Sequence, residues 1–350
     1  MARRRGAAWI GLLLLACAMV YPDAVLAKKK KAKKPPQPAV DTPIVCHDVA
    51  FVGNLALLGQ TAGLSVWDIA DPLRPRAIQR LPLPATVLGV TPVAPLVYLA
   101  AGTRGLYVTR LVEDGPPEIV SQFETPGSVQ QVLAHGSYAL LADSRHGLRV
   151  VDLTDPARPL QKAQVATRDE LRALALCGDV LALAEASAGV RLLDVSRPER
   201  PVDLHVLRDV RDARDVAFAG GRLLVAAGEA GLWVYGFDGG EPVPLGRLEI
   251  ERAAEFVGGD GELALVSNGT PALQLVALEG QGRPRLLGEI RVHRSAPALR
   301  VHVRGSIGSA ALERAGLALI DLTDPLAPLV LLPRERELKI EWPGMDRDRR

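Results

Sequence analysis

Several things are scarce in this sequence, and each scarcity closes off a class of protein. Aromatic residues make up 4% of the chain, too few for the stacking platforms that hold unpaired bases or sugars. Cysteine occurs at Cys17, Cys46 and Cys177 only, in no spacing that suits zinc or a redox pair. There is no GxSxG nucleophile elbow, HExxH pair, P-loop or EF-hand loop. The glycine-rich stretch VGGDGE (257–262) lacks calcium-loop spacing, and EGQGRPRLLG (279–288) reads as a hairpin connection; neither opens a helix that could hold a phosphate. Outside the first 27 residues no helical apolar period is sustained over ten residues, which argues against an α fold.

Excess charge is also missing. The formal net charge is +2, and even that is misleading. Residues 1–34 carry nine Lys and Arg against Asp23 alone; taking these from totals of 42 and 40 leaves 33 basic and 39 acidic side chains in 35–350. A mildly acidic body without a basic stripe lacks the footprint of phosphate-backbone binding, so nucleic acid is excluded as a partner.

The amino terminus reads as an export signal. Basic Arg3, Arg4 and Arg5 precede an apolar run over 7–21, then Pro22, then Val25-Leu26-Ala27. Fifteen apolar residues fall short of the roughly 20 that a spanning helix needs, and small residues near Ala27 suit cleavage after it. Two other fates stay open: lipidation at Cys17, where Leu14-Leu15-Ala16-Cys17 is an imperfect lipoprotein box, and retention as an anchor, because the mature chain would begin with a positive KKKKAKK. Residues 28–43 form a basic, proline-rich linker. Its Lys28, Lys29, Lys30, Lys31, Lys33 and Lys34 offer peripheral contact with anionic lipid. The expected location is periplasmic, cell-surface or secreted.

What is plentiful is glycine (33) and proline (27), at regular places. Glycine-led segments stack as GLSVWDIADPLRP from Gly63, GLYVTRLVEDGPP from Gly105, GLRVVDLTDPARP from Gly147 and GVRLLDVSRPERP from Gly189. GLWVYGFDGGEPV from Gly231, ALQLVALEGQGRP from Ala272 and GLALIDLTDPLAP from Gly316 complete the series. The intervals are 42, 42, 42, 42, 41 and 44 residues. A period near forty with four short strands per unit is the signature of a propeller blade. In the third copy the strands fall at 129–134, 138–142, 148–153 and 160–166, separated by Gly136, Gly147 and the turn Thr154-Asp155-Pro156. The fold expected is all-β: a seven-bladed β-propeller of four-stranded blades over 44–340, with a polar tail at 341–350. Because 44–52 opens on a first-type strand and 329–340 reads as a surplus fourth strand, the ring is expected to close by the C-terminal strand completing the first blade. Cys46 and Cys177 then lie three blades apart, too far for a disulfide, and both are expected to be buried thiols.

The third-strand segments LRVVDLTDP (148–156) and LALIDLTDP (317–325) closely resemble the LVIVD-repeat family, with LSVWDIADP (64–72) and VRLLDVSRP (190–198) similar to it. Arg110, Gly236 and Ala277 depart from the aspartate of that motif. The resemblance covers roughly 44–332 and implies a bacterial or archaeal surface or envelope propeller, with no agreed activity.

The repeated Asp68, Asp152, Asp194 and Asp321 sit just before turns, where a carboxylate accepts backbone N–H groups, so they serve the blade. Function is sought where blades differ. Aligned first strands give a variable column at Asp48, Gln131, Ala173, Asp215 and Arg300, with Gly89 and Glu255 placed beside them, next to the apolar Val49, Val132, Leu174, Val216 and Val301. Alternation along a strand turns one column towards the central channel. The candidate ligand-binding residues are therefore Asp48, Gln131, Asp215, Arg300 and His302, with Asp48 and Arg300 meeting at the seam between blades seven and one. His47 and Arg172 fall in the opposite register. Arg300 beside Cys46, Asp48 and His302 repels a cation, so neither metal nor cofactor is expected, and no catalytic residue is assigned. The reading is an exported, non-enzymatic binding or scaffold module whose partner is an envelope or extracellular protein. Two alternatives are an enzyme with its site at one mouth of the channel and a membrane-associated component held by the lysine-rich tether.

Overall fold

The computed structural model describes residues 44–113, 115–278 and 283–332. The expected export signal (1–27) and basic linker (28–43), the stretch 333–340 and the C-terminal 341–350 lie outside them. Blade one is β1 (Cys46–Val52), β2 (Leu55–Gln60), β3 (Gly63–Asp68) and β4 (Arg76–Pro82); blade two is β5 (Gly89–Val93), β6 (Leu96–Ala100), β7 (Leu106–Arg110) and β8 (Glu118–Phe123). Blade three is β9 (Gln131–His135), β10 (Tyr138–Ala142), β11 (Leu148–Asp152) and β12 (Leu160–Val165). Blade four is β13 (Ala173–Cys177), β14 (Val180–Ala184), β15 (Val190–Asp194) and β16 (Val202–Leu207). Blade five is β17 (Asp215–Ala219), β18 (Arg222–Ala226), β19 (Leu232–Gly236) and β20 (Val243–Leu248). Blade six is β21 (Phe256–Asp260), β22 (Leu263–Ser267), β23 (Ala272–Ala277) and β24 (Arg285–Arg291); blade seven is β25 (Ala298–Arg304), β26 (Ile307–Leu312), β27 (Gly316–Asp321) and β28 (Leu329–Leu332).

Each blade is a four-stranded antiparallel meander in chain order. The first strands touch in sequence from β1 to β5 and on to β25, which returns to β1, so they ring a central channel. The core lies between blades. Ala182 and Leu192 of blade four, for example, pack with Val216, Leu223 and Tyr235 of blade five. Every side chain buried this way contributes about 1.5–3 kcal/mol if large and apolar. Second strands, buried on both faces, read as unbroken apolar runs such as LVYLA and VLALA, whereas outer fourth strands face water.

The expected closure is corrected. β28 pairs with β27 through Asp321↔Leu329 and Ile320↔Val330, and blade one is completed by its own β4, through Asp68↔Arg76. The turn at Thr323-Asp324-Pro325 returns the chain directly on to β27, and a local hairpin closes at less entropic cost than pairing with β3, some 260 residues back. No described strand is therefore surplus, and the ring is shut by side chains. Cys46, Val49, Ala56, Leu58, Trp67 and Ile69 of blade one pack with Ala311 of blade seven. The cysteines also differ from expectation. Both are free, Cys46 buried and Cys177 exposed, because Cys177 ends β13 at the hairpin turn into β14, where the strand emerges from the sheet.

Candidate binding site at the channel mouth

Each first strand begins at one mouth of the channel, and the residue leading into it is held by a backbone bond to the end of the second strand. Leu88, Gln130, Arg172, Arg214 and Glu255 donate their N–H groups to the carbonyls of Ala100, Ala142, Ala184, Ala226 and Ser267. At the seam the register is irregular in both first strands, between Cys46 and Asp48 in β1 and between Ala298 and Val301 in β25, which places His47 and Leu299 in the same ring. These seven side chains, one from each blade, line a cavity of about 540 Å³ together with Glu170, Phe256 and Arg300.

The mouth has two unlike halves. Along one arc runs a chain of ion pairs: Arg172 meets Glu170 at 3.5 Å and Asp212 at 2.8 Å, Arg214 meets Asp212 at 2.8 Å, and Arg214 also pairs with Glu255. Asp212 is held in the left-handed region at φ 61°, accepting from both arginines at once. The opposite arc carries Leu88, Leu299 and His47. Burial pushes the His47 imidazole below its ordinary value, against the pull of Glu313 and Asp48, so it is neutral near pH 7.

Below the rim is a second ring, formed by Asp48, Gly89, Gln131, Ala173, Asp215, Phe256 and Arg300. Its polar members stand on blades one, three, five and seven, the last and first of which adjoin at the seam, and three of them reach sideways to the next first strand. Val90 N–H donates to Asp48 Oδ2 at 2.8 Å, Leu174 N–H to Gln131 Oε1 at 2.8 Å, and Val257 N–H to Asp215 Oδ2 at 3.0 Å. At the seam His302 Nε2 lies 2.9 Å from Asp48 Oδ1 and Arg300 Nε lies 4.0 Å from it. Burial pushes the Asp48 carboxyl up, but the His302 hydrogen bond and charge, Arg300 and the Val90 N–H outweigh it and hold Asp48 below its ordinary value. Asp215 goes the other way. Burial raises it, and the more distant Arg300 and the Val257 N–H do not compensate. Burial, reinforced by Asp48, also raises the Cys46 thiol, which is inert as a nucleophile.

Of the residues singled out from sequence, Gln131, Asp215, Arg300 and His302 share the wall of one neck cavity of about 190 Å³. Asp48, at 4% exposure, lies behind His302 and Arg300. Two placements change. Glu255 belongs to the rim and Phe256 takes its place in the inner ring, since Phe256 pairs with Ser267 as Asp215 pairs with Ala226. His47 and Arg172, set aside by register, stand at the rim with Gln130 and Arg214. Strand alternation separates the columns inside the barrel of first strands, but at the mouth the strands end and both faces meet the opening. On the far side, an apolar groove of about 410 Å³ crosses the seam, lined by Phe51, Ile69, Pro72, Pro92, Ile307 and Leu331 among others. Among the described residues no three His, Cys, Asp or Glu side chains converge as metal ligands.

Comparison with known proteins supports the architecture. A search of curated proteins gave no match. Among solved structures, the computationally designed Ika8 protein superposes with a TM-score of 0.59 at 11% identity, covering 79% of this chain and 96% of that one. PorZ, a surface component of the type-IX secretion system of Porphyromonas gingivalis, superposes with a TM-score of 0.59 at 13% identity, covering 83% of this chain and 38% of its own. At such identities the likeness is one of fold, and the chain spans well under half of PorZ. Residues 126–167, which hold the whole of β9 to β12, match the family described as LVIVD repeat, so the third blade of this propeller is similar to an LVIVD repeat, in agreement with the resemblance read from its third strand.

Proposed function

We propose that this protein is an exported binding module that receives its partner at the mouth of the propeller channel. The observation that carries the reading is the rim itself: seven blades built to one plan supply one side chain each, of five kinds (His, Leu, Gln, Arg and Glu), to a single cavity of about 540 Å³. Repeated positions serve the blade, whereas a ring of dissimilar groups in a concave, half-apolar setting is what selective recognition requires. Export is supported by the basic start, the short apolar run and the Ala27 site in the sequence.

The test is capture from the native envelope fraction with residues 28–350 as bait, beside a Leu88→Asp variant that puts a charge into the apolar arc without touching the ion-pair chain. A species enriched by the first and lost with the folded variant supports the mouth as the site. A species captured equally by both would place recognition elsewhere on the molecule.

A further inference from the structure

The neck of the channel contains a buried cation whose hydrogen-bonding capacity the protein leaves unused. Arg300 is 8% exposed. Its Nε stands 4.0 Å from Asp48 Oδ1, outside hydrogen-bond range, and its guanidinium lies over the Phe256 ring, 5.4 Å from the centroid. Among the described residues none accepts a hydrogen bond from its terminal nitrogens. These donors face the cavity space, where water or an acidic ligand can take them, and a charge-assisted bond to a ligand there is stronger than one made in bulk water. Arg300 lines both the mouth and the neck cavities, so that space is continuous with the opening. Across the neck, Gln131 spends its Oε1 on Leu174 N–H, which leaves its amide NH2 as a further donor at the same wall.

We propose that the neck is a carboxylate seat, and that its ligand is a small organic monoacid whose apolar body rests in the mouth against Phe256, Leu88 and Leu299. The proposal rests on the reading of the mouth as a binding site and specifies the chemistry of what enters it. The planar fork of one arginine matches a carboxylate edge to edge. A phosphate dianion fits less well, because the ionised Asp48 adjoins the same arginine and only one guanidinium is available. The groups that face the seat are Asp48 from β1, Asp215 from β17 and Arg300 and His302 from β25, with His47, Glu170, Arg172, Arg214 and Glu255 at the rim. Asp48 is already matched by His302 and Val90 N–H. Asp215 has the Val257 N–H but no ion pair among the described residues, and burial raises its carboxyl. Protonating Asp215 removes a repulsion and adds a donor. Affinity for an anion therefore rises on acidification as Asp215, raised above its ordinary value, takes up its proton, until the ligand itself is protonated.

The experiment is calorimetric titration of residues 28–350 with acetate, hexanoate and 3-phenylpropionate, each beside its neutral amide. The expected result is saturable binding of the two larger acids, at least about tenfold weaker binding of their amides, and a similar loss in Arg300→Gln and in part in Arg300→Lys. Asp215→Asn keeps an oxygen for Val257 N–H and is expected to bind the acids more tightly, with a weaker dependence on pH. Equal binding of acid and amide, an unaltered affinity in Arg300→Gln, or no saturable binding of any acid would overturn the seat. Should Arg300→Gln fail to fold, an Asp215→Asn affinity no higher than wild type overturns it instead. Partner capture abolished by Leu88→Asp together with no acid binding removes the seat and leaves the mouth reading intact. Acid binding that Leu88→Asp leaves unchanged removes the apolar body from the mouth.

Discussion

At the start of most third strands the backbone must do two things that a side chain forbids. Gly147 has φ 80°, and a Cβ placed there would lie 2.2 Å from the carbonyl oxygen of Val165, at the end of the fourth strand. Gly63, Gly105, Gly189 and Gly231 meet the equivalent oxygen at 2.1 to 2.2 Å. The repeated glycine is thus dictated jointly by handedness and by the crossing of the strand ends. Gly136, in the hairpin between β9 and β10, isolates the first demand: its φ is 57° and nothing lies within 4 Å. Gly136→Ala is expected to cost roughly 1–2 kcal/mol, and Gly147→Ala at least twice as much, read from denaturant midpoints at constant slope. Equal losses would remove the steric part of the account. The same regularity made most of the inner ring legible from sequence: Asp48, Gln131, Asp215 and Arg300 align because their blades share a spacing. It failed at Glu255, which lies 40 residues after Asp215: the interval of 41 residues from Gly231 to Ala272, carried on from Asp215, leads to Phe256, and a one-residue slip exchanges an inner position for a rim one.

The strands of the third blade were readable almost to the residue, since turn glycines and Asp-Pro pairs bound them on each side. The bulge between third and fourth strands was not. It recurs in every blade, after Val66, Val108, Val150, Leu192, Val234, Leu275 and Leu319, and in blade three leaves Lys162 without a partner on β11. Fourth strands are largely exposed, so their alternation is weak and an inserted residue leaves no mark in the pattern. The aspartate that precedes the bulged strand was legible, and the structure gives its work: Asp152 Oδ1 accepts from Thr154 N–H at 2.9 Å and from its hydroxyl at 2.6 Å. Asp68, Asp194 and Asp321 take the N–H groups of Ala70, Ser196 and Thr323 in the same way. Asp152→Ala is expected to lower stability by about 1 kcal/mol, while Asp152→Asn, which keeps the acceptor, stays close to wild type. A deficit of equal size in both would shift the role to the charge and to Lys162, 3.4 Å away.

For the whole molecule the question is what keeps a ring of seven meanders shut when no described strand is shared across the ends. The apolar contact of blade one with Ala311 supplies area, but area alone does not set the angle at which the last blade meets the first. That task falls to Asp48, which holds Val90 N–H of blade two on one oxygen and His302 of blade seven on the other, with Arg300 close by. The carboxyl of Asp48 is depressed in the folded state by these partners, in spite of burial. A depressed carboxyl contributes stability that is fully present above its unfolded value, near 3.8, and is lost as pH falls through the folded value below it. Asp48→Asn keeps an oxygen for Val90 N–H and removes the charge that binds His302 and Arg300. It is expected to cost about 1.5–3 kcal/mol at pH 7, with the gap to wild type closing below about pH 4 as the native aspartate protonates too. Asp215 provides the internal contrast, because its carboxyl is raised: Asp215→Asn is expected to gain stability at pH 7 and to lose that advantage as the solution is acidified. Denaturant curves for the three proteins at pH 7, 5 and 3 decide the matter, since a gap between wild type and Asp48→Asn that persists unchanged to pH 3 would mean that the charge on Asp48 does not hold the seam.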